Sequence, residues 1–173
     1  METSTHLPRE LKIFSFAKKE VKLSGKYLIS SLPRISDIAI NNKGSLKVDL
    51  SFYLENNKTP CIKGIIKLDI VLECQRCLSA LPKDLIINFN LAFVRNEQQA
   101  EGLDSIYEVY VIELDELITI DLITDEILLS LPMASSHDYE CNLNKNKQEI
   151  VEDKRENPFT ILKNIKIADV GKE

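Results

Sequence analysis

Three stretches between residues 46 and 94 alternate apolar and polar side chains with a period of two. In LKVDLSFYL, Leu46, Val48, Leu50, Phe52 and Leu54 share one face, while Lys47, Asp49, Ser51 and Tyr53 share the other. In IIKLDIVLE the apolar set is Ile66, Leu68, Ile70 and Leu72; in LIINFNLAF it is Leu85, Ile87, Phe89, Leu91 and Phe93. Period-two patterning places one face of each strand on a core and the other in water. The links ENNKTP and CQRCLSALPKD are short and rich in turn residues, which predicts antiparallel neighbours over 46–54, 65–73 and 85–94. Weaker alternation over 21–29 and 107–113 predicts two further strands.

Helical spacing is less frequent. FSFAKKE predicts a short N-terminal helix, and SLPRISDIAI a second, capped by Ser31 with Pro33 in its first turn. TIDLITDEILLSLP predicts a third, with Asp121, Asp125 and Glu126 placed early for the helix dipole and Pro132 at its end. Apolar residues on more than one face predict that this helix is largely buried. The polar run NLNKNKQEIVEDKRE predicts a flexible linker over 142–156, and NPFTILKNIK a short docking helix within 157–173. The expected architecture is α+β: residues 1–141 as one domain with an antiparallel β meander, or partly open barrel-like sheet, a few short helices, and a flexible C-terminal tail.

Charge changes this picture. The net charge of -5 divides unevenly: residues 1–95 carry 15 Lys/Arg and 9 Asp/Glu, 96–144 carry 12 acids and no Lys or Arg, and 145–173 carry 7 bases and 6 acids. The blocks sum as +6, -12 and +1. Such asymmetry predicts either a bipolar surface, one region for a polyanion and the other for a basic partner, or mutual neutralisation within the fold. Lys47, Lys63, Lys67, Arg76, Lys83 and Arg95 lie on or near the expected meander and are the candidates for contacting RNA phosphates. Tyr53 is the one aromatic on its wet face, which argues against reading of single-stranded bases by stacking. No apolar run is long enough for a membrane span, and the first twenty residues lack a secretory pattern, so the expected compartment is the cytoplasm, with reduced thiols.

Of the four cysteines, Cys61 is most simply a packing residue and the other three carry the candidate chemistry. Cys74 and Cys77 form a C-x2-C pair in a turn between strands, the place where zinc knuckles put their first two ligands. His137 and Cys141, spaced as a second pair, complete a Cys3His set for one structural zinc. Two alternatives stand beside it: a redox pair, with Arg76 favouring a thiolate, and a sulfur-bearing turn without chemistry. No serine elbow, phosphate-cradling glycine loop or metal-helix motif is present, so no catalytic residue, small-molecule cofactor or small-molecule substrate is expected. The acids of 104–126 read as a solvated face rather than an ion site, because no oxygen-ligand loop spacing occurs.

Taken together, LECQRCL at 72–78, IDLITDEILLSLPMASSHDYEC at 120–141 and ENPFTILKNIK at 156–166 resemble the YceD family, the large ribosomal RNA subunit accumulation proteins. The matching signature positions are Cys74, Arg76, Cys77, Leu78, Glu126, Pro132, His137 and Cys141. The segment LPMASSH departs from the family's LPxxPxH by lacking the second proline, which bears on the path of the loop carrying His137. The resemblance implies a non-enzymatic factor for accumulation, maturation or stability of 23S ribosomal RNA. The implied partners are the pre-ribosomal large subunit, its RNA, basic ribosomal proteins, or both, with no membrane. The competing reading is a metal- or thiol-dependent enzyme acting on RNA.

Overall fold

The computed structural model describes residues 7–56 and 58–141, so the linker and docking helix expected at 142–156 and 157–173 lie outside the described residues. The chain divides into a unit Met1–Cys141 and a unit Asn142–Glu173. In chain order the first unit holds β1 (Glu10–Lys12), α1 (Ile13–Lys18), β2 (Lys22–Leu28), α2 (Pro33–Ser36), β3 (Ser45–Glu55), β4 (Thr59–Glu73), β5 (Ala80–Val94), β6 (Glu108–Val111), β7 (Glu116–Ile118) and α3 (Thr119–Ser130).

The three strongly alternating segments form the centre of an open five-stranded sheet of order β2-β3-β4-β5-β6. Strands β2 to β5 are an antiparallel meander, as the alternation predicts. β2 and β6 remain at the edges, so the sheet does not close into a barrel. The last pair departs from a pure meander: β6 runs parallel to β5, Leu91 opposite Glu108 through Val94 opposite Val111. The connection 95–107 is about a dozen residues long, the least that a parallel return needs. A separate antiparallel pair joins β1 to β7.

The strands also extend beyond the expected starts. Pro60 lies in β4 opposite Leu54, and Pro82 in β5 opposite Val71. β6 pairs only with 91–94, and among the described residues no strand pairs with the outer edge of β5 around Pro82, where proline interrupts no ladder. One face of β3, β4 and β5 supplies Leu46, Val48, Leu50, Phe52, Ile62, Ile66, Leu68, Ile87, Phe89, Leu91 and Phe93 to the buried core. α1 closes part of that face, its Phe16 meeting Phe52 edge-to-face at 5.3 Å between ring centroids. At Gly64 the ring of Phe89 fills the space a side chain would take: an added Cβ would stand 1.9 Å from Phe89 Cζ.

Two expectations about helices are corrected. The helix expected over 31–40 is four residues long, and Ser31 does not cap it. Leu32 holds the cap position, and Ser31 Oγ donates instead to the Leu28 carbonyl at 2.7 Å. Pro33 does occupy the first turn, but the chain leaves the helix after Ser36, and Ile40 N–H is drawn to the Val71 carbonyl at 2.9 Å. In α3 only Asp121 lies in the first turn. Asp125 and Glu126 lie past it, beyond the reach of the N-terminal dipole, and Glu126 is turned inward with 7% of its surface exposed.

Candidate metal centre and basic sheet face

The turn between β4 and β5 spans residues 74–79. Its Leu78 N–H donates to the Cys74 carbonyl at 2.8 Å, and Cys74 N–H donates to the Ser79 carbonyl at 3.0 Å. This closure requires left-handed backbone at Leu78, φ 58°, a conformation glycine enters more cheaply. The segment after α3 is fastened to the turn through backbone and side chain alike. Gln75 N–H donates to the Ser135 carbonyl at 2.8 Å. The Arg76 guanidinium donates to the carbonyls of His137 at 3.0 Å and Tyr139 at 3.3 Å. Arg76 therefore acts as a clamp across the two segments, a role its sequence position does not reveal.

This clamping brings Cys74, Cys77, His137 and Cys141 together, with one ligand atom from each lying within 4.8 Å of all the others. Cys74 Sγ is 3.7 Å from Cys141 Sγ, and Cys77 Sγ is 3.5 Å from His137 Nδ1. Tetrahedral zinc, with bonds of about 2.3 Å to sulfur and 2.0 Å to nitrogen, sets ligand atoms about 3.8 Å apart for two sulfurs and about 3.5 Å for sulfur and nitrogen. These two separations fit that requirement. His137 Nε2 faces the Ala80 carbonyl at 3.3 Å, the outer partner that leaves Nδ1 free to ligate. None of the cysteines is in a disulfide.

Electrostatics favour the thiolate at Cys74 and Cys77. Burial raises the Cys74 thiol, but the backbone N–H groups of Arg76, Cys77 and His137 aimed at its sulfur outweigh that and bring it down to about 5. The hydroxyl and N–H of Ser79 lower Cys77, with Ser79 Oγ 3.0 Å from its sulfur. Burial lowers His137, and hydrogen bonds to the sulfurs of Cys74 and Cys77 raise it by more. Burial and the neighbouring sulfurs of Cys77 and Cys74 raise Cys141. Three sulfurs converging without a metal repel one another as they ionise, and a bound divalent cation relieves this. The cluster is compatible with a structural metal. Among the described residues it is also the one set of three or more Cys, His, Asp or Glu whose ligand atoms converge in this way.

The RNA-contact candidates divide by place. Lys47, Lys63 and Lys67 are exposed on the face of the sheet opposite the core. Arg76 belongs to the cysteine turn, and Lys83 stands 4.0 Å from Asp138 beside it. Arg95 stacks over Phe14, 4.7 Å from its ring centroid, and donates to the carbonyls of Ile112 and Glu113.

Strand register adds two lysines that sequence reasoning missed. Lys26 is opposite Lys47, which is opposite Lys67; Lys22 is opposite Ser51, which is opposite Lys63. Cross-strand partners point to the same side, so five exposed lysines share this face, with Asp49 between the two rows. Asp49 bonds Ser24 and Lys47, at 2.6 and 3.0 Å, and the Ser24 hydroxyl lowers its pKa. Asp69 and Asp84 lie beyond, toward the cysteine turn. The alternation of Lys22, Ser24 and Lys26 was the available signal in the weaker strand.

Fold and site together define a small α+β protein in which a Cys3His cluster joins one end of a sheet to the segment after its last helix. Over residues 62–166 the chain matches the family described as Large ribosomal RNA subunit accumulation protein YceD. A curated relative bearing the same description, from Haemophilus influenzae (strain ATCC 51907 / DSM 11121 / KW20 / Rd), is 34% identical over 171 residues, covering 92% of this chain and 96% of the relative. The chain belongs to the YceD family. No solved structure matches it. Among the described residues no helix is long and apolar enough to cross a membrane.

Proposed function

We propose that this protein is a non-enzymatic factor for accumulation, maturation or stability of 23S ribosomal RNA during large-subunit assembly in the cytoplasm. It contacts the RNA backbone through its lysine-bearing sheet face and works beside basic ribosomal proteins on the pre-ribosomal particle. The description carried by the family and by its Haemophilus relative supports the ribosomal part of this reading. The observation that carries the RNA contact is the ladder Lys26–Lys47–Lys67 across three adjacent strands. Like charges directly opposite one another destabilise a sheet, and a polyanion laid across them turns that cost into affinity. Contact of this kind tracks phosphates rather than reading bases.

The Cys3His cluster serves this function as a structural staple. Cys74, Cys77, His137 and Cys141 would hold one zinc ion, which supplies a fixed tetrahedral joint. With four protein ligands no position is left for substrate, and the joint ties the segment after α3 to the β4–β5 turn. A metal- or thiol-dependent enzyme would need an open coordination position or a free activated sulfur, and the convergence of all four groups favours the staple.

Comigration tests the assignment. In sucrose gradients of lysate, the full chain should travel with large-subunit precursors and leave them at high salt. A chain found only at the top of the gradient, at low salt and with precursors present, contradicts it.

A further inference from the structure

Between α3 and β6 lies a groove of about 400 Å³ whose charged lining is Glu108, Asp121, Asp125, Glu126 and a single cation, Arg34. Arg34 is already engaged, its guanidinium 2.5 Å from Asp125. Glu126 is the unusual member: only 7% of its surface is exposed, and among the described residues no hydrogen bond or ion pair reaches its carboxylate. Its oxygens are not sealed in the core without a partner, so they are met from the groove. A carboxylate that solvent reaches only through a groove is partly desolvated, a cost that an incoming cation removes. Val109 and Leu129 are exposed apolar residues on the lining, at 44% and 77%, and suit the methylene stem of a long basic side chain.

We propose that this groove binds a lysine- or arginine-bearing segment of a basic protein, with Glu126 receiving the cationic head and Glu108 and Asp121 flanking it. The carboxylates do not chelate a metal ion as a set, since among the described residues only the cysteine–histidine cluster brings three or more ligand atoms together. A polyanion is repelled by the same charges, so the groove and the lysine face select partners of opposite sign. Burial, with Glu108 and Asp125 nearby, raises the Glu126 pKa to about 7, which a bound cation would reverse. The inference deepens the partner reading above and rests on it only for the kind of protein that carries the segment.

Fluorescence anisotropy of labelled octalysine and octaarginine, titrated with the full chain at low salt, is the direct test. Octaglutamate serves as the opposite-charge control. Binding should weaken at least ten-fold in the double variant Glu108→Gln/Glu126→Gln, and by less than two-fold in Glu10→Gln/Glu73→Gln, which removes the same charge elsewhere. Equal loss in both, or no binding by the unaltered chain, overturns the proposal. The chain's own segment is the rival occupant: if Lys163→Gln/Lys166→Gln strengthens peptide binding several-fold, the groove is filled from within and the partner assignment fails. Ribosomal RNA binding by the same variants reads the lysine face instead, so failure here and failure of the RNA assignment are distinguishable. Thermal unfolding of each variant separates lost affinity from lost fold.

Discussion

Cys77 Sγ stands 3.5 Å from His137 Nδ1, although the two residues are sixty positions apart and come from different kinds of element. Closing so long a loop costs only slowly more than closing a short one, and the Arg76 clamp to the His137 and Tyr139 carbonyls helps hold the approach. Protein purified without chelator should contain about one zinc per chain, and Cys77→Ser or His137→Ala should remove it. Chelation should lower the unfolding temperature of the unaltered protein and leave the variants unmoved. Metal-free protein whose stability ignores both chelator and added zinc would reduce the cluster to a sulfur-bearing turn.

Leu78 offers a quieter check on the same turn. Its left-handed backbone costs about 1 kcal/mol in a side-chain-bearing residue, and its side chain is 57% exposed, so packing does not demand leucine. Leu78→Gly should therefore change stability by less than about 1 kcal/mol, because relieved strain is offset by greater freedom of the unfolded chain. Leu78→Val should destabilise, since β-branched residues tolerate this region least. Chemical denaturation of the two variants measures the contrast.

Gly64 should be far less forgiving. Its missing side chain is the space taken by the Phe89 ring across the strand pair, so Gly64→Ala forces the ring out of the core face. The expected loss is about 2 kcal/mol or more, read as a lowered denaturation midpoint at unchanged slope. Gly102, with open space where a Cβ would stand, marks the difference between a glycine required for close approach and one required for a positive φ.

Glu126 makes stability depend on pH in an unusual sense. Burial, then repulsion from Glu108 and Asp125, raises its pKa from 4.5 to about 7 in the folded chain. Between those values the folded state keeps a proton that the unfolded state has released, so stability falls as pH rises through this window and stays lower above it. With the groove admitting some solvent, the effect is about 2 kcal/mol. Relative to the unaltered protein, Glu126→Gln should therefore gain about that much stability on passing from pH 4 to pH 8. Urea unfolding of both proteins at the two pH values should show it; a difference independent of pH would mean that Glu126 titrates in the fold as it does in the unfolded chain.

Much of this was legible because period-two patterning is a direct record of a half-buried strand. Leu46 through Leu54 could not alternate so regularly and face one environment. The three-residue strands β1 and β7 are too short to display a period, and the parallel return of β6 depends on where 95–107 leads the chain. Ser31 suited a cap by residue type, but its hydroxyl found the Leu28 carbonyl first. The cysteine–histidine set was readable from spacing, whereas the Ala80 carbonyl behind His137 is a backbone group that no residue type announces. Glu126 looked like a dipole-favoured acid in sequence; its inward turn is a product of packing. Lys22 and Lys26 joined Lys47, Lys63 and Lys67 only once register set them on the same side.

The most direct test of the RNA assignment is the salt dependence of binding between the purified full chain and 23S ribosomal RNA. A phosphate-tracking lysine face predicts an affinity that falls linearly in log–log form as salt rises. Replacing Lys26, Lys47 and Lys67 together by Gln should weaken binding and reduce the magnitude of that slope by about 2, with the zinc content and the unfolding temperature retained. Undiminished affinity and an unchanged slope in the triple variant, or no measurable binding by the unaltered protein at low salt, would contradict the account.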